Sequence, residues 1–496
     1  MHLPRLLFFC ILTLPAVAYT AGEPLSLPLN EAIRMSVEKN LDVRAELFNP
    51  AQYEADINRN RSIYDPLLTL QTNFTDSTTL SSSFAAGRNN ESVSFLLDSS
   101  ISRLFFTGAT AAINFNNSYA STNSSLTVPN YWQTGLGASI SQPLLKNFGR
   151  EATEIAINVS RLSKFASLER FNSKLLTTVA QVRNEYYKLH SLREESEVKK
   201  VSLELARKIL SDTQARVKAG VLPAMEILNA EFGAVSREKE LIDAERAVND
   251  QVDVLKLLLQ IDRKVSDLRT VDLPTRERID ASEDEGIRKA LSRPDIREQK
   301  HNLEISELQT RVFSSKTRPD LSLTASAWLT GLDSTYQRNL DKTFTFDYPV
   351  WSIGFNFTYP FGNNAAENDY RKSRLKTEQT ALQIRSLEEG AANEVRAAIR
   401  AITAGFKQID VADRGRAFAE ERLRAFIRKN EVGLATTKDV LDVENDLVSA
   451  KSNQINAVVG YANALTRYWQ VTGELLEREG VRVVEGDADK LYSSTR

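Results

Sequence analysis

Cysteine is almost absent from this chain, and its single cysteine, Cys10, lies in an apolar run near the N-terminus. Arg5 precedes that run and small residues end it at Ala18, so the sequence predicts a cleavable signal peptide over residues 1–18. The alternative interpretation is a buried first helix. After cleavage no thiol would remain, which excludes disulfides, cysteine-ligated zinc, cysteine nucleophiles and a lipid anchor on cysteine.

Several other features are also scarce. Glycine and proline number only 20 and 14 among 496 residues, which excludes collagen-like and low-complexity chains. Lys and Arg total 63 against 65 Asp and Glu, so no positive field favours nucleic acid. The longest apolar run after the predicted signal, 254–261, is too short for a transmembrane helix.

Motifs for enzymatic chemistry are missing. The sequence has no GxxxxGK, HExxH or GxSxG pattern. Only His190 and His301 would remain in the mature chain, and both lie in helical runs. The sequence therefore predicts no enzyme, no metal site and no cofactor.

An internal repeat is present. Five positions recur 253 residues later: Asp42, Arg44, Pro66, Leu68 and Leu70 match Asp295, Arg297, Pro319, Leu321 and Leu323. Further matches occur at offsets of 217 and 213, and the latter pairs Gly220 with Gly433. These offsets predict a tandem duplication. The smaller later offsets predict an inserted hairpin at about 90–121.

Each predicted half has the same order of elements, with a helix ending before a proline, two alternating strands, a long helix and a return helix. The first half, 19–262, begins with a helix over 30–61 and continues with strands 67–76 and 132–143 and helices 150–219 and 221–262. The second half, 285–472, begins with a helix over 285–318 and continues with strands 320–330 and 349–360 and helices 364–432 and 434–472. Residues 263–284 are predicted to form a linker and 473–496 a polar tail.

The predicted strands are typical of membrane-spanning β-strands. Eight of the 18 residues in 344–361 are aromatic, and a tilted spanning strand needs about 9 to 11 residues. Four strands leave open edges, which lipid does not tolerate, so several copies would have to share one barrel. The candidate membrane-interface aromatics are Trp132, Trp351, Phe355, Phe357 and Tyr359. The alternative is a soluble sandwich whose apolar faces meet in a core.

The long helices carry apolar residues at spacings of three and four, as in Val179, Val182, Tyr186 and Leu189. This spacing is typical of a coiled-coil seam. Each helix would be about 105 Å long. The predicted fold class is therefore mainly α, with long antiparallel coiled-coil helices and added transmembrane β-strands.

The turns after the long helices resemble those of the TolC-like outer-membrane efflux proteins. The segments are Glu431–Asp442 in the second half and Gly220–Glu231 in the first, and Ser141–Leu145 with Phe148–Arg150 is similar to the family's junction between strand and helix. The resemblance covers residues 29–473. It implies a homotrimer, with four strands per chain in a twelve-stranded outer-membrane barrel and the helices in a periplasmic α-barrel.

The same resemblance implies a passive exit duct of a tripartite efflux or type I secretion system. Its helical tip would dock a periplasmic membrane-fusion adaptor, whose inner-membrane partner is a pump or an ABC transporter. The adaptor-contacting turns would be formed by Gly220, Val221, Val432, Gly433 and Leu434. A purely conformational role explains both glycines equally well. The rival function is a soluble periplasmic coiled-coil scaffold without channel activity.

Acidic residues would form the constriction. Asp439 and Asp442 match the acids that ring the family's closed tunnel end, and their i, i+3 spacing places them on one helix face. Three copies would then attract cations by proximity. Glu226 and Asn229 occupy the equivalent points of the first half. The alternative for Asp439 is a local helix cap with Thr436.

One departure from the family concerns the closed state. In well-studied members a tyrosine and an arginine of the second-repeat tip help to lock the gate. Asn430 and Ala435 stand at the matching positions here. The family's lock is therefore not expected in this chain.

Overall fold

The computed structural model describes residues 25–80, 89–123, 128–262, 264–481 and 486–494, and the predicted signal peptide over 1–18 lies outside them. Two compact units are present. One comprises the described residues of 25–46, 171–294 and 388–481, and the other those of 47–170, 295–387 and 486–494. Within the described residues, none of the helices is long and apolar enough to cross a membrane.

Helices form most of the structure. They are α1 (Leu29–Lys39), α2 (Leu41–Arg61), α3 (Arg150–Thr153), α4 (Ile155–Lys218), α5 (Met225–Leu259), α6 (Glu283–Ala290), α7 (Pro294–Lys316), α8 (Tyr336–Phe344), α9 (Asn364–Glu431), α10 (Thr437–Thr472), α11 (Leu475–Arg478) and α12 (Gly486–Ser494). The strands are β1 (Leu25–Leu27), β2 (Leu67–Leu80), β3 (Asn89–Leu104), β4 (Thr110–Thr122), β5 (Asn130–Pro143), β6 (Leu268–Thr270), β7 (Asp320–Asp333) and β8 (Pro349–Thr358).

The long helices α4 and α9 have 64 and 68 residues. At 1.5 Å per residue each extends for about 100 Å. The predicted seam residues Val179, Val182, Tyr186 and Leu189 are completely buried in α4. A seam of this spacing stabilises a helix that is too long to be held by a single globular core.

The helix that precedes the strands is interrupted in both predicted halves, between α1 and α2 and between α6 and α7, although the sequence predicts continuous helices over 30–61 and 285–318. The first break is at Asn40, whose side-chain Oδ1 accepts the N–H groups of Asp42 at 3.0 Å and Val43 at 3.2 Å and so caps α2. The second break precedes Pro294, the first residue of α7. Proline disfavours helical geometry in the residue before it, which ends the preceding helix.

The segment predicted as a linker contains a strand. β6 pairs in parallel with β1, with Leu25 opposite Leu268. The buried Tyr186 hydroxyl donates to the carbonyl of Leu27 at 2.8 Å and accepts the N–H groups of Val271 and Asp272 at 2.9 and 3.0 Å. Tyr186 therefore fastens both segments to α4.

The C-terminal segment, predicted as a polar tail, forms α11 and α12 over part of its described residues. Lys164 of α4 donates to Asp489 of α12 at 2.6 Å and to Glu54 of α2 at 2.9 Å. Through these two ion pairs, Lys164 connects α12 with α4 and α2 of the same unit.

The main sheet has six antiparallel strands in the order β2-β3-β4-β5-β7-β8. The expectation of four strands is wrong for this sheet, because the predicted hairpin supplies β3 and β4 between β2 and β5. The estimate of four rested on positions repeated in both halves, and an insertion in one half has no repeated counterpart. The tandem duplication itself stays a prediction from the sequence.

Candidate functional site: the helical tip and the two faces of the sheet

The turn between α4 and α5 is built around Gly220, which has a φ of +72°. The N–H of Gly220 donates to the carbonyl of Val217 and that of Val221 to the carbonyl of Arg216, both at 2.9 Å. These two hydrogen bonds form a helix-terminating Schellman motif, which favours glycine because of its left-handed backbone. The sequence thus ends α4 sharply and exposes the next residue.

The turn between α9 and α10 has the same geometry. Gly433 has a φ of +76°. Its N–H donates to the carbonyl of Asn430 at 3.1 Å, and the N–H of Leu434 donates to that of Lys429 at 2.8 Å. Both glycines therefore have the conformational role that the sequence allowed. This role is compatible with contacts between the neighbouring side chains and a partner.

Apolar side chains project from both turns. Val221, Val432 and Leu434 are 71%, 70% and 77% exposed. The sequence reasoning missed a continuation of this surface along α5, where Met225, Leu228, Phe232 and Val235 are all exposed. Their spacing of three and four residues places them on one face of the helix, a pattern that could have been found in the sequence. Exposed apolar stripes of this kind mark protein contact surfaces.

Asp439 is part of a helix cap. The N–H and hydroxyl of Thr436 both donate to its Oδ2 at 2.8 Å, and its own N–H donates to the Thr436 hydroxyl at 3.1 Å. These hydrogen bonds lower the pKa of Asp439, with the backbone N–H of Thr436 as the largest cause. Asp439 thus stabilises α10 as an ionised carboxylate.

The other three candidate constriction residues have different surroundings. Asp442 is exposed on α10, whereas Glu226 and Asn229 are half-buried on α5. The Oε2 atom of Glu226 is buried without a hydrogen-bond partner in the described structure. Among the described residues, no hydrogen bond joins these side chains to Asp439 or to one another. Asp442 is therefore the carboxylate of this set that is most available to an ion.

A hydrogen-bonded contact joins the two tip turns. Arg216, near the end of α4, donates through Nη1 to the backbone carbonyl of Asn430 at 2.9 Å. The Nδ2 of Asn430 donates to the carbonyl of Ala435 at 3.0 Å and closes its own turn. Asn430 therefore connects the two turns through its backbone carbonyl and its side-chain amide.

Behind the tip lies a buried ion pair that sequence reasoning missed. Arg237 of α5 and Glu444 of α10 are 5% and 3% exposed, and Arg237 Nη2 lies 2.9 Å from Glu444 Oε2. Arg237 also donates to the carbonyl of Leu441 at 3.1 Å, and the Ser202 hydroxyl of α4 donates to Glu444. Three helices are thus joined by one polar network.

The main sheet has one apolar face. Registered partners such as Ile113, Ala138, Ala327 and Trp351 lie on this face. The predicted interface aromatics Trp351, Phe355 and Phe357 project from it in β8 and are 74%, 69% and 63% exposed. Tyr359 is also exposed and directly follows the strand. An apolar surface this continuous requires a nonaqueous neighbour.

Trp132 differs from the other predicted aromatics because other groups cover it. Its ring lies 5.0 Å from that of Tyr119 and 5.0 Å from that of Tyr336 in α8, centroid to centroid. Asn339 of α8 donates to the Thr134 hydroxyl at 2.5 Å, which in turn donates to Asn117 at 2.9 Å. Helix α8 therefore covers the apolar face around Trp132 and Thr134, and a buried polar network holds the helix in this position.

The opposite face of the sheet is polar. Ser102, Ser139, Ser326 and Ser352 lie in one row across five strands, with Ala112 of β4 between Ser102 and Ser139. Hydroxyl and amide side chains are frequent on this face and alternate with the apolar set, as in a strand with one side in water, although Trp328 and Val350 also lie on it. Within the described residues, no three side chains of His, Asp or Glu are grouped closely enough to hold a metal ion.

A two-faced sheet and very long helices are features of helix-rich membrane channel proteins. Comparison with known sequences makes this specific. The family profile described as outer membrane efflux protein matches residues 108–259 and 287–474. The chain belongs to this family, whose members are channels rather than enzymes.

Individual relatives agree with the family. The chain is 24% identical over 314 residues to the pyoverdine export outer membrane protein OpmQ of Pseudomonas aeruginosa, covering 61% of this chain and 64% of OpmQ. It therefore spans slightly less than two-thirds of that relative's length. The Campylobacter jejuni CmeC outer membrane channel superposes with a TM-score of 0.68 at 16% identity, over 94% of this chain and 90% of CmeC. The Vibrio cholerae outer membrane protein VceC gives 0.66 at 16% identity, over 90% and 96%. These structures share the fold.

Proposed function

We propose that three copies of this chain form a passive exit duct, with the sheet in the outer membrane and the helical tip in the periplasm. The observation that carries this proposal is the division of the main sheet into an apolar and a polar face. Lipid would contact the apolar face, and the polar face would line a water-filled lumen. The export role in OpmQ's name supports the same function.

The open edges of the sheet support assembly. β2 and β8 are the two edge strands, and they run in opposite directions because the sheet has six antiparallel strands. β2 of one copy can therefore pair antiparallel with β8 of the next, and repetition of this head-to-tail contact closes a ring. Closure pairs every backbone group that an edge in lipid would leave unpaired.

The helical part supports a tunnel with a docking tip. The apolar stripe of α5 would pack against a neighbouring copy, as seams in coiled coils do. Val221, Val432 and Leu434, next to Gly220 and Gly433, would contact a periplasmic adaptor. That adaptor would connect the duct to an inner-membrane pump or ABC transporter.

The acids of the tip would set its ion preference. Asp442 from each copy would project into the narrow opening, with Asp439, Glu226 and Asn229 behind it. A ring of carboxylates disfavours anions and attracts cations. The capping role of Asp439 makes Asp442 the main charge of this proposed ring.

The rival function, a soluble coiled-coil scaffold, would require the apolar face of the sheet to be covered by protein. α8 covers only part of it, and Trp351, Phe355 and Phe357 are open to the surroundings. This exposure favours the duct.

Cross-linking tests the assembly. The one cysteine, Cys10, lies in the predicted signal peptide, so engineered pairs would be the only cysteines after its cleavage. Three variants each carry one cysteine in β2, at Leu68, Leu70 or Phe74, and a second cysteine at Phe355 in β8. We expect at least one of these variants to yield covalent trimers after oxidation in outer membranes. A control pair that joins Ile113 of the internal strand β4 to Phe355 should not link. Monomers from every pair, in protein that needs no detergent, would contradict the proposal.

A further inference from the structure

We propose that the inserted hairpin widens the outer-membrane barrel to eighteen strands and that its lumen accommodates bulky hydrophilic cargo. This inference rests on the proposed duct and concerns the size of its exit. Its basis is the six-stranded sheet of each chain, against the four strands implied by the family resemblance.

The hairpin is an integral part of the sheet. β3 pairs with β2 along the whole length of β2, from Leu67 opposite Ser102 to Leu80 opposite Asn89. On the other side β4 pairs with β5, from Thr110 opposite Ser141 to Ser121 opposite Asn130. β2 and β5 therefore do not pair with each other. A hairpin folded back over the end of a barrel would leave them adjacent.

The hairpin also has the same two faces as the rest of the sheet. Ile101 and Ile113 are opposite each other on the apolar face, in line with Ala138 of β5. One residue along β4, Asn114 lies on the polar face, and its Nδ2 donates to the Ser139 hydroxyl of β5 at 3.3 Å. Alternation at this spacing would be unnecessary in an extracellular flap, but a membrane-spanning strand requires it.

Strand number fixes the width of a barrel. With a strand spacing of about 4.8 Å and a tilt of about 40°, eighteen strands give a backbone radius of about 18 Å, against about 12 Å for twelve. The cross-section therefore more than doubles. Barrels of sixteen to eighteen strands leave an aqueous channel when side chains do not fill them.

The side chains on the polar face leave most of the interior of such a barrel unfilled. Trp328 is the large aromatic on the polar face of β7, opposite Gly137 of β5. A Cβ atom at Gly137 would lie 2.3 Å from the Trp328 ring, and one at Gly135 would lie 3.5 Å from it. The ring thus lies flat on a strand that has no side chain at these points. Val350 of β8 is directly opposite Trp328, and the small hydroxyl groups of Ser139, Ser326 and Ser352 form the next row of this face, so the lining beside the ring suits polar cargo of large cross-section.

Nitroxide labels in native outer membranes test the hairpin directly. Single cysteines at Ile113 and Asn114 probe β4, and single cysteines at Phe355 and Asn356 provide the matched control pair in β8. We expect the Ile113 label to be accessible to oxygen and the Asn114 label to a water-soluble nickel complex, as at Phe355 and Asn356. Accessibility to oxygen should therefore exceed accessibility to the nickel complex at Ile113 and Phe355, and the order should be reversed at the neighbouring Asn114 and Asn356.

The outcomes separate the two proposals. Reversal in β8 without reversal in β4 would overturn the widened barrel and leave the duct intact. Absence of reversal in both strands would overturn both. As a second measurement, end-on electron micrographs of the trimer should show a barrel about 1.5-fold wider than that of a chain lacking residues 89–122. Equal widths would also overturn the inference.

Discussion

Replacing Phe355 with arginine is expected to prevent stable assembly in the outer membrane. Phe355 lies near the middle of β8 on the apolar face and is 69% exposed in the single chain. An arginine facing lipid near the bilayer midplane costs about 2–4 kcal/mol, and a trimer would carry three of them. We expect the amount of folded trimer in the outer-membrane fraction to fall at least tenfold, as measured by gel mobility without heating.

The neighbouring residue provides a matched control. Asn356 belongs to the same strand but lies on the polar face, opposite Ser322 of β7. An arginine there would extend into water, so Asn356→Arg should assemble like the unchanged protein. Equal loss in both variants, or in neither, would show that the two faces of the sheet do not meet lipid and water as proposed.

Removing the carboxylate of Glu444 is expected to loosen the tip helices. Glu444→Ala would leave the buried guanidinium of Arg237 without its partner and the Ser202 hydroxyl without its acceptor. Breaking one side of a buried ion pair costs about 3–5 kcal/mol. Hydrogen exchange of backbone amides in α5 and α10 should therefore accelerate by at least about a hundredfold wherever exchange needs local opening.

Two controls separate the buried pair from its surroundings. Arg422 and Asp446 also form an ion pair at 2.6 Å, but both side chains are more than half exposed. Asp446→Ala should change the free energy of local opening, as determined from hydrogen exchange, by about 1 kcal/mol or less, since exposed ion pairs contribute little to stability. Replacing both buried partners, with Arg237→Met and Glu444→Leu, should recover much of the protection. Similar exchange rates in Glu444→Ala and Asp446→Ala would refute the role of burial.

Periodic patterns could be predicted from the sequence. The seam at Val179, Val182 and Tyr186 repeats every three or four residues because one face of a helix must be buried. The alternation around Phe355 likewise has the period of a strand with two different faces. These patterns depend on local geometry alone, and the comparisons confirm the family that they and the tip turns indicated.

Features that depend on tertiary contacts could not be predicted. The sheet has two strands more than the four expected, because the segment that contains Ile113 and Asn114 adds the hairpin of β3 and β4 between β2 and β5. Arg237 and Glu444 are 207 residues apart, and nothing local marks either one as buried. The case of Asp439 is intermediate: the sequence allowed both a cap and an ion ring, and the hydrogen bonds to Thr436 establish the cap. The ring stays a proposal.

Single-channel current across a planar bilayer tests the central claim, a passive duct with an acidic tip, most directly. Detergent-extracted protein should give a small, cation-preferring conductance. Asp442→Ala, which leaves the cap of α10 intact, should raise the conductance and weaken the cation preference, and adding Asp439→Ala should extend both changes. Absence of conductance from correctly assembled protein would contradict the duct, and unchanged selectivity in both variants would contradict the acidic ring.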